Sequence, residues 1–146
     1  MYRKILVAYD GSPHANKALT AGIELARCCG GQLHAAAAVH LPDYAGTVSE
    51  VDDMASGAKA FYSEKLEKAA ARAAGKNVHL TTHIIYGHTG EAIVRFAREE
   101  NFDLIIVGSH GWSAVQRLVM GSVSTYVVRH AHCPVLVEKG TENNGK

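Results

Sequence analysis

The hydrophobic pattern of this chain switches repeatedly between a strand-like and a helix-like period, which restricts it to strands separated by helices. Residues 5–9, ILVAY, are a short apolar run that stops at Asp10-Gly11, the pattern of a buried strand. Ser12 and Pro13 then open a helix: the serine oxygen caps free N–H groups, and proline in the first turn sacrifices no hydrogen bond. Ala15, Ala18, Leu19, Gly22, Ile23 and Ala26 make one helical stripe, which Gly30-Gly31 ends. Residues 33–39, LHAAAAV, read as a second strand, against the helix preference of its alanines. A loop over 40–51 contains Pro42, Asp43 and Gly46. A helix follows over 52–74, with Met54, Ala58, Phe61, Leu66, Ala69 and Ala73 expected inward and Gly75 stopping it.

The β-branched, partly alternating residues 78–86 predict a third strand. A helix over 91–100 turns Ile93, Phe96 and Ala97 inward, and residues 104–107, LIIV, are as continuously apolar as a central strand covered on both faces. A glycine-punctuated loop over 108–121 leads to a helix over 122–130 and, after Pro134, to a last strand over 135–138. This order predicts one α/β doubly wound, Rossmann-like domain over residues 1–140, with a five-stranded parallel sheet and helices on both faces. Residues 141–146 are a polar tail. Doubly wound sheets bind ligands beyond the carboxyl ends of their strands, where the strand order reverses. Residues 10–12 and 108–124 are the segments placed there.

At 146 residues the chain is long enough to bury its own core. Fifteen Lys and Arg against fourteen Asp and Glu leave no basic excess, so a nucleic-acid partner is not expected. The apolar runs fall far short of the ~20 residues that span a bilayer, and the N-terminal run is too short for a signal peptide, so no membrane insertion is expected. Cys28, Cys29 and Cys133 are odd in number and lack CxxC spacing, which fits reduced thiols in a cytoplasmic protein.

The chemistry is concentrated after LIIV. Gly108-Ser109-His110-Gly111 is followed, nine residues on, by Gly121-Ser122-Val123-Ser124 at a helix start. Glycines let backbone approach a ligand closely, successive N–H groups form an anion-binding nest, and a helix N-terminus adds unpaired donors. The hydroxyls of Ser122 and Ser124 are expected to add two hydrogen bonds to phosphate oxygens.

The segment GSHGWSAVQRLVMGSVS closely resembles the G-x2-G-x9-G-[ST] signature of the ATP-binding universal stress proteins. The resemblance extends to KILVAYDGSPHANKAL, DLIIVGSHG and HAHCPVLVEK, and so to nearly the whole chain. It implies an adenine nucleotide alpha hydrolase-like fold with ATP as ligand and Mg2+ beside the triphosphate. Asp10 would bond the ribose or lie near the metal and phosphates, and Ala8 and Tyr9 would border the base. Val39 would contact adenine. Gly108, Ser109, His110 and Gly111 would wrap the ribose and α-phosphate, and Gly121, Ser122, Val123 and Ser124 would hold the β- and γ-phosphates. The resemblance also implies a homodimer joined along the last strand, residues 134–138, from Pro134 to Glu138. Where the family often has a basic residue after Gly111, this chain has Trp112; Arg117 reads as a solvated helical arginine.

Of the nine histidines, His110 alone is assigned a function, by its place in the loop. His79 and His83, four residues apart on a strand, are separated by ~13 Å, too far for simple chelation, and His130, His132 and Cys133 read as structural. There is no G-x4-G-K-[ST], no G-x-S-x-G and no H-E-x-x-H, and no general base faces Asp10. The sequence therefore points first to a nucleotide-dependent regulatory or stress-response module. A slow ATPase or other nucleotide-processing enzyme comes second. A nucleotide-independent interaction module, for which Trp112 is the best argument, comes third.

Overall fold

In the computed structural model, which describes residues 1–40, 48–110 and 120–139, strands and helices alternate along the chain. They are β1 (Lys4–Ala8), α1 (Pro13–Cys29), β2 (Gln32–Val39), α2 (Val48–Ala74), β3 (Leu80–Tyr86), α3 (Thr89–Glu99), β4 (Leu104–Gly108), α4 (Ser122–His130) and β5 (Val135–Glu138). The strands form one parallel sheet in the order β3-β2-β1-β4-β5. The chain winds outward through β2 and β3, then returns to the other side of β1. This is the expected doubly wound architecture, and the reversal lies between β1 and β4.

Alternation along β1 sorts the core into two layers. Ile5 and Val7 pack with Leu19 and Ile23 of α1 and Leu66 and Ala69 of α2. Leu6, on the opposite face, packs with Ile93 and Ala97 of α3, Val127 of α4, Phe102 and Ile105. The LIIV run of β4 is likewise buried throughout, Ile106 on the first layer and Ile105 and Val107 on the second. The alanine-rich β2 is a strand because Ala35, Ala36 and Ala37 are at most 1% exposed, between helices on both faces. Burial and two neighbouring strands outweigh a helix preference of a few tenths of a kcal/mol per residue. Close approach is also built into α1: a Cβ added at Gly22 would lie 2.8 Å from Val7 Cγ2 and 3.0 Å from Leu33 Cδ1.

The ends of α1 are set as its sequence requires. Ser12 Oγ accepts from the Ala15 N–H, Pro13 opens the first turn, and Gly30 closes the helix in the left-handed region, φ 67°. Four expectations change. Helix α2 begins at Val48 rather than residue 52, and Met54 and Phe61 are 46% and 47% exposed instead of inward. Its packed face is the second half, at Leu66, Ala69 and Ala73, where it crosses β2 and β3. Strand β3 starts at Leu80, because the Val78 N–H is drawn back to Ala73 O in closing α2. Helix α3 starts two residues early, at Thr89. Residues 41–47, most of the 108–121 loop and the tail beyond 139 lie outside the described residues. Among those described, no helix is long and apolar enough to cross a membrane.

Candidate functional site

Beyond the carboxyl ends of β1 and β4 lies a cavity of about 350 Å3, within the size range of small-molecule sites. Ala8, Ala36, Ala38 and Val107 form its strand-derived floor. Tyr9, Asp10 and Ser12 come from the β1–α1 turn, Tyr62 from α2, and Thr89 and Ile93 from α3. Gly108, Ser109 and His110 close one side, and Gly121, Ser122, Val123 and Ser124 bring in the first turn of α4.

Ten of the residues singled out in the sequence thus converge: Ala8, Tyr9, Asp10, Gly108, Ser109, His110, Gly121, Ser122, Val123 and Ser124. Val39 does not join them. It is buried, and its carbonyl accepts from the Gly87 N–H, while Ala36 and Ala38 supply the β2 surface of the cavity. Gly111, Trp112 and Arg117 lie outside the described residues. Ser12 was legible as part of the segment after β1. Tyr62 and Thr89 carry no local signal, since only the packing of α2 and α3 against the sheet brings them in.

The β1–α1 turn is held by its own side chains. The Ser12 N–H donates to Asp10 Oδ1 at 2.9 Å, and Gly11 takes φ +82°. The Tyr9 N–H donates to Ala36 O at 2.9 Å, and its hydroxyl donates to Asn16 Oδ1 at 2.5 Å. Burial raises the pKa of Tyr9, and burial followed by the Asp10 charge raises that of Tyr62. Both phenols therefore remain protonated donors at neutral pH.

The Ser109 carbonyl locks the two glycine segments together. It accepts from the Gly121 N–H at 2.7 Å and from Ser124 Oγ at 3.0 Å, while the Ser109 N–H donates to Glu138 O of β5 at 3.0 Å. The buried Ser124 hydroxyl, also within 3.1 Å of Gly121 O, is committed to this joint. The two hydroxyl donors expected for phosphate therefore reduce to Ser122, beside the backbone. There is little room for a side chain at the joint: a Cβ at Gly108 would come within 2.8 Å of the His14 backbone, and one at Gly121 within 3.2 Å of Ser109 O.

The first N–H groups of a helix have no partner inside it and carry the positive end of its dipole. Ser122, Val123 and Ser124 present that end of α4 to the cavity, an arrangement suited to an anion. His110 adds a buried Nε2 with no hydrogen-bond partner. Among the described residues no group of three His, Cys, Asp or Glu side chains could hold a metal ion, and Asp10 is the carboxylate lining the cavity. A metal here would take most of its ligands from a bound phosphate and water.

Comparison with known proteins adds to this geometry. Residues 1–139 match the model described as the Universal stress protein family. The chain is 34% identical over 146 residues to the universal stress protein YxiE of Bacillus subtilis, covering 94% of this chain and 99% of that one. It is 30% identical over 141 residues to a universal stress protein of Methanocaldococcus jannaschii, covering 95% and 83%. Among solved structures it resembles universal stress protein UspA from Lactobacillus plantarum, with a TM-score of 0.86, 28% identity and coverage of 94% and 97%. A universal stress protein from Archaeoglobus fulgidus, solved in complex with dAMP, superposes with a TM-score of 0.65 at 25% identity over 93% of this chain and 97% of that one.

Proposed function

The chain belongs to the universal stress protein family, and on that premise we propose that it is a nucleotide-dependent regulatory module of the cytoplasm whose ligand is ATP with Mg2+. The observation that carries this reading is the joint at Ser109, which holds the turn after β4 against the start of α4 at the mouth of a cavity in the switch-point crevice. Close-approach glycines, backbone donors and a helix dipole are what a polyphosphate requires. The dAMP complex of the Archaeoglobus fulgidus relative supports an adenine nucleotide as the ligand class.

In this reading Gly108, Ser109, His110 and Gly111 enclose the ribose and α-phosphate, and Gly121, Ser122, Val123 and Ser124 receive the outer phosphates. Ala8, Tyr9 and Val39 belong to the base end, with Val39 acting from behind the alanine floor. Mg2+ would supply charge neutralisation of the triphosphate, and Asp10 is the carboxylate that lines the cavity among the described residues. The sequence offers no general base facing Asp10, so in this reading hydrolysis is slow at most and occupancy, rather than turnover, is the signal.

Native mass spectrometry of the freshly purified protein, followed by calorimetric titration with MgATP, tests the proposal. One nucleotide per subunit is expected. The Gly121→Val variant, whose side chain meets Ser109 O, is expected to weaken MgATP binding at least about tenfold, the effect of ~1.4 kcal/mol. Failure of the wild-type protein to bind any adenine nucleotide would overturn the reading and favour a nucleotide-independent interaction module. Sustained ADP release abolished by Gly121→Val would instead make it an ATPase.

A further inference from the structure

Behind the His110 side of the cavity, three side chains form a line. Ser109 Oγ lies 3.4 Å from His14 Nδ1 and 3.2 Å from His110 Nδ1. The two imidazoles meet edge to face, with ring centroids 5.2 Å apart. At the far end of the line, His110 Nε2 is buried and unpartnered, although native structures satisfy nearly all such atoms. His110 itself lines the cavity.

We propose that His14, Ser109 and His110 form a hydrogen-bond relay that fixes His110 as the Nε2–H tautomer, a donor to a ribose or phosphate oxygen of the nucleotide, with His14 as the positioning residue. This inference rests on the nucleotide-binding reading. The polarity runs from the His14 Nδ1–H to Ser109 Oγ, and from the Ser109 hydroxyl to His110 Nδ1. A neutral imidazole that accepts at one nitrogen carries its proton on the other, so Nε2–H is left as the free donor. The opposite polarity would leave Nε2 as an acceptor facing acceptor oxygens, in a cavity whose α4 end attracts anions.

Local sequence explains why the relay can exist. Ser12 and Pro13 start α1 so that His14 falls in its first turn. Gly108 lets the end of β4 press against that turn, since a Cβ there would lie 2.8 Å from the His14 carbonyl carbon. The next residue is then Ser109, with His14 within reach of its hydroxyl. The glycine thus serves the relay as well as the ligand.

Imidazole nitrogen NMR on the nucleotide-free, 15N-labelled chain at pH 8 reads the tautomer directly, and His110 is expected as Nε2–H. Calorimetry with MgATP is expected to show binding weakened by about three- to tenfold in His14→Leu, the worth of one hydrogen bond. Binding should return to within about twofold in His14→Gln, whose amide can still donate to Ser109. Thermal melting of both variants serves as the folding control. An Nδ1–H tautomer at His110, or wild-type affinity and tautomer in His14→Leu, overturns the relay. If the wild-type protein binds no MgATP, the nucleotide reading falls, and the tautomer spectrum still decides the relay.

Discussion

Two glycines show how differently the same residue type can be used. Gly22 faces the sheet with Val7 Cγ2 and Leu33 Cδ1 within 3.0 Å of where a Cβ would stand, whereas Gly57, on the overhanging half of α2, has nothing within 4 Å. Overpacking a core costs about 1–3 kcal/mol, which exceeds what a β-branched residue gains over glycine in helix propensity. Gly22→Val should therefore lower stability by about 1–3 kcal/mol in urea unfolding. Gly57→Ala should raise it by up to ~1 kcal/mol, because only the propensity term acts there. The sequence placed Gly22 on the buried stripe of α1, but the distance to Val7 depends on packing with residues far away in the chain.

Strands β2 and β3 share an element-scale feature that spacing along one strand did not reveal. His83 was weighed against His79, yet its partner is His34 on the neighbouring strand: His34 Nδ1 and His83 Nε2 are 2.9 Å apart, with ring planes inclined by 10°. The pair packs against Phe96 and Phe102. Burial, followed by His83 and Lys4, lowers the His34 pKa to about 4, with Glu100 opposing; burial also lowers that of His83. A pKa depressed in the fold means that the unfolded chain takes up the proton first as acid is added. The associated stability is present above about pH 6.5 and is lost as pH falls towards 4. After screening of this partly buried pair, a loss on the order of 1–2 kcal/mol is expected. Urea midpoints at pH 7 and 4.5 should show it, and His34→Gln should flatten the difference. Element types and most boundaries could be read from hydrophobic period and caps. Cross-strand register could not, because it is fixed by which strands become neighbours. The same limit applies to the site: its glycine turn and helix start were legible, whereas Tyr62, Thr89 and the inward turn of Ser124 follow from tertiary packing.

At the scale of the whole molecule, β3 and β5 are the two edges of the sheet. Strand β5 pairs only with β4 and exposes Leu136 at 38%. An exposed edge strand is a template for a second chain, which fits the homodimer through residues 134–138 that the family resemblance implies. Because the Ser109 N–H donates to Glu138 O, β5 and the turn after β4 are joined by a hydrogen bond. Light scattering should report a dimer for the wild-type protein and a monomer for Leu136→Lys. If the variant remains dimeric, the interface lies elsewhere. A shift of MgATP affinity in the monomer would show that the joint transmits occupancy to the interface.

The strand order also has a consequence for synthesis. Ile5, from the first strand made, must wait for Leu104 to fill its second edge, while Leu33 arrives early to fill the first. At about 5–20 residues per second, the interval between the end of β2 and the start of β4 is roughly 3–13 s on the ribosome. During that time the most apolar strand of the nascent chain has an open side, so protection of β1 by the ribosome surface or a chaperone matters most before residue 104 emerges.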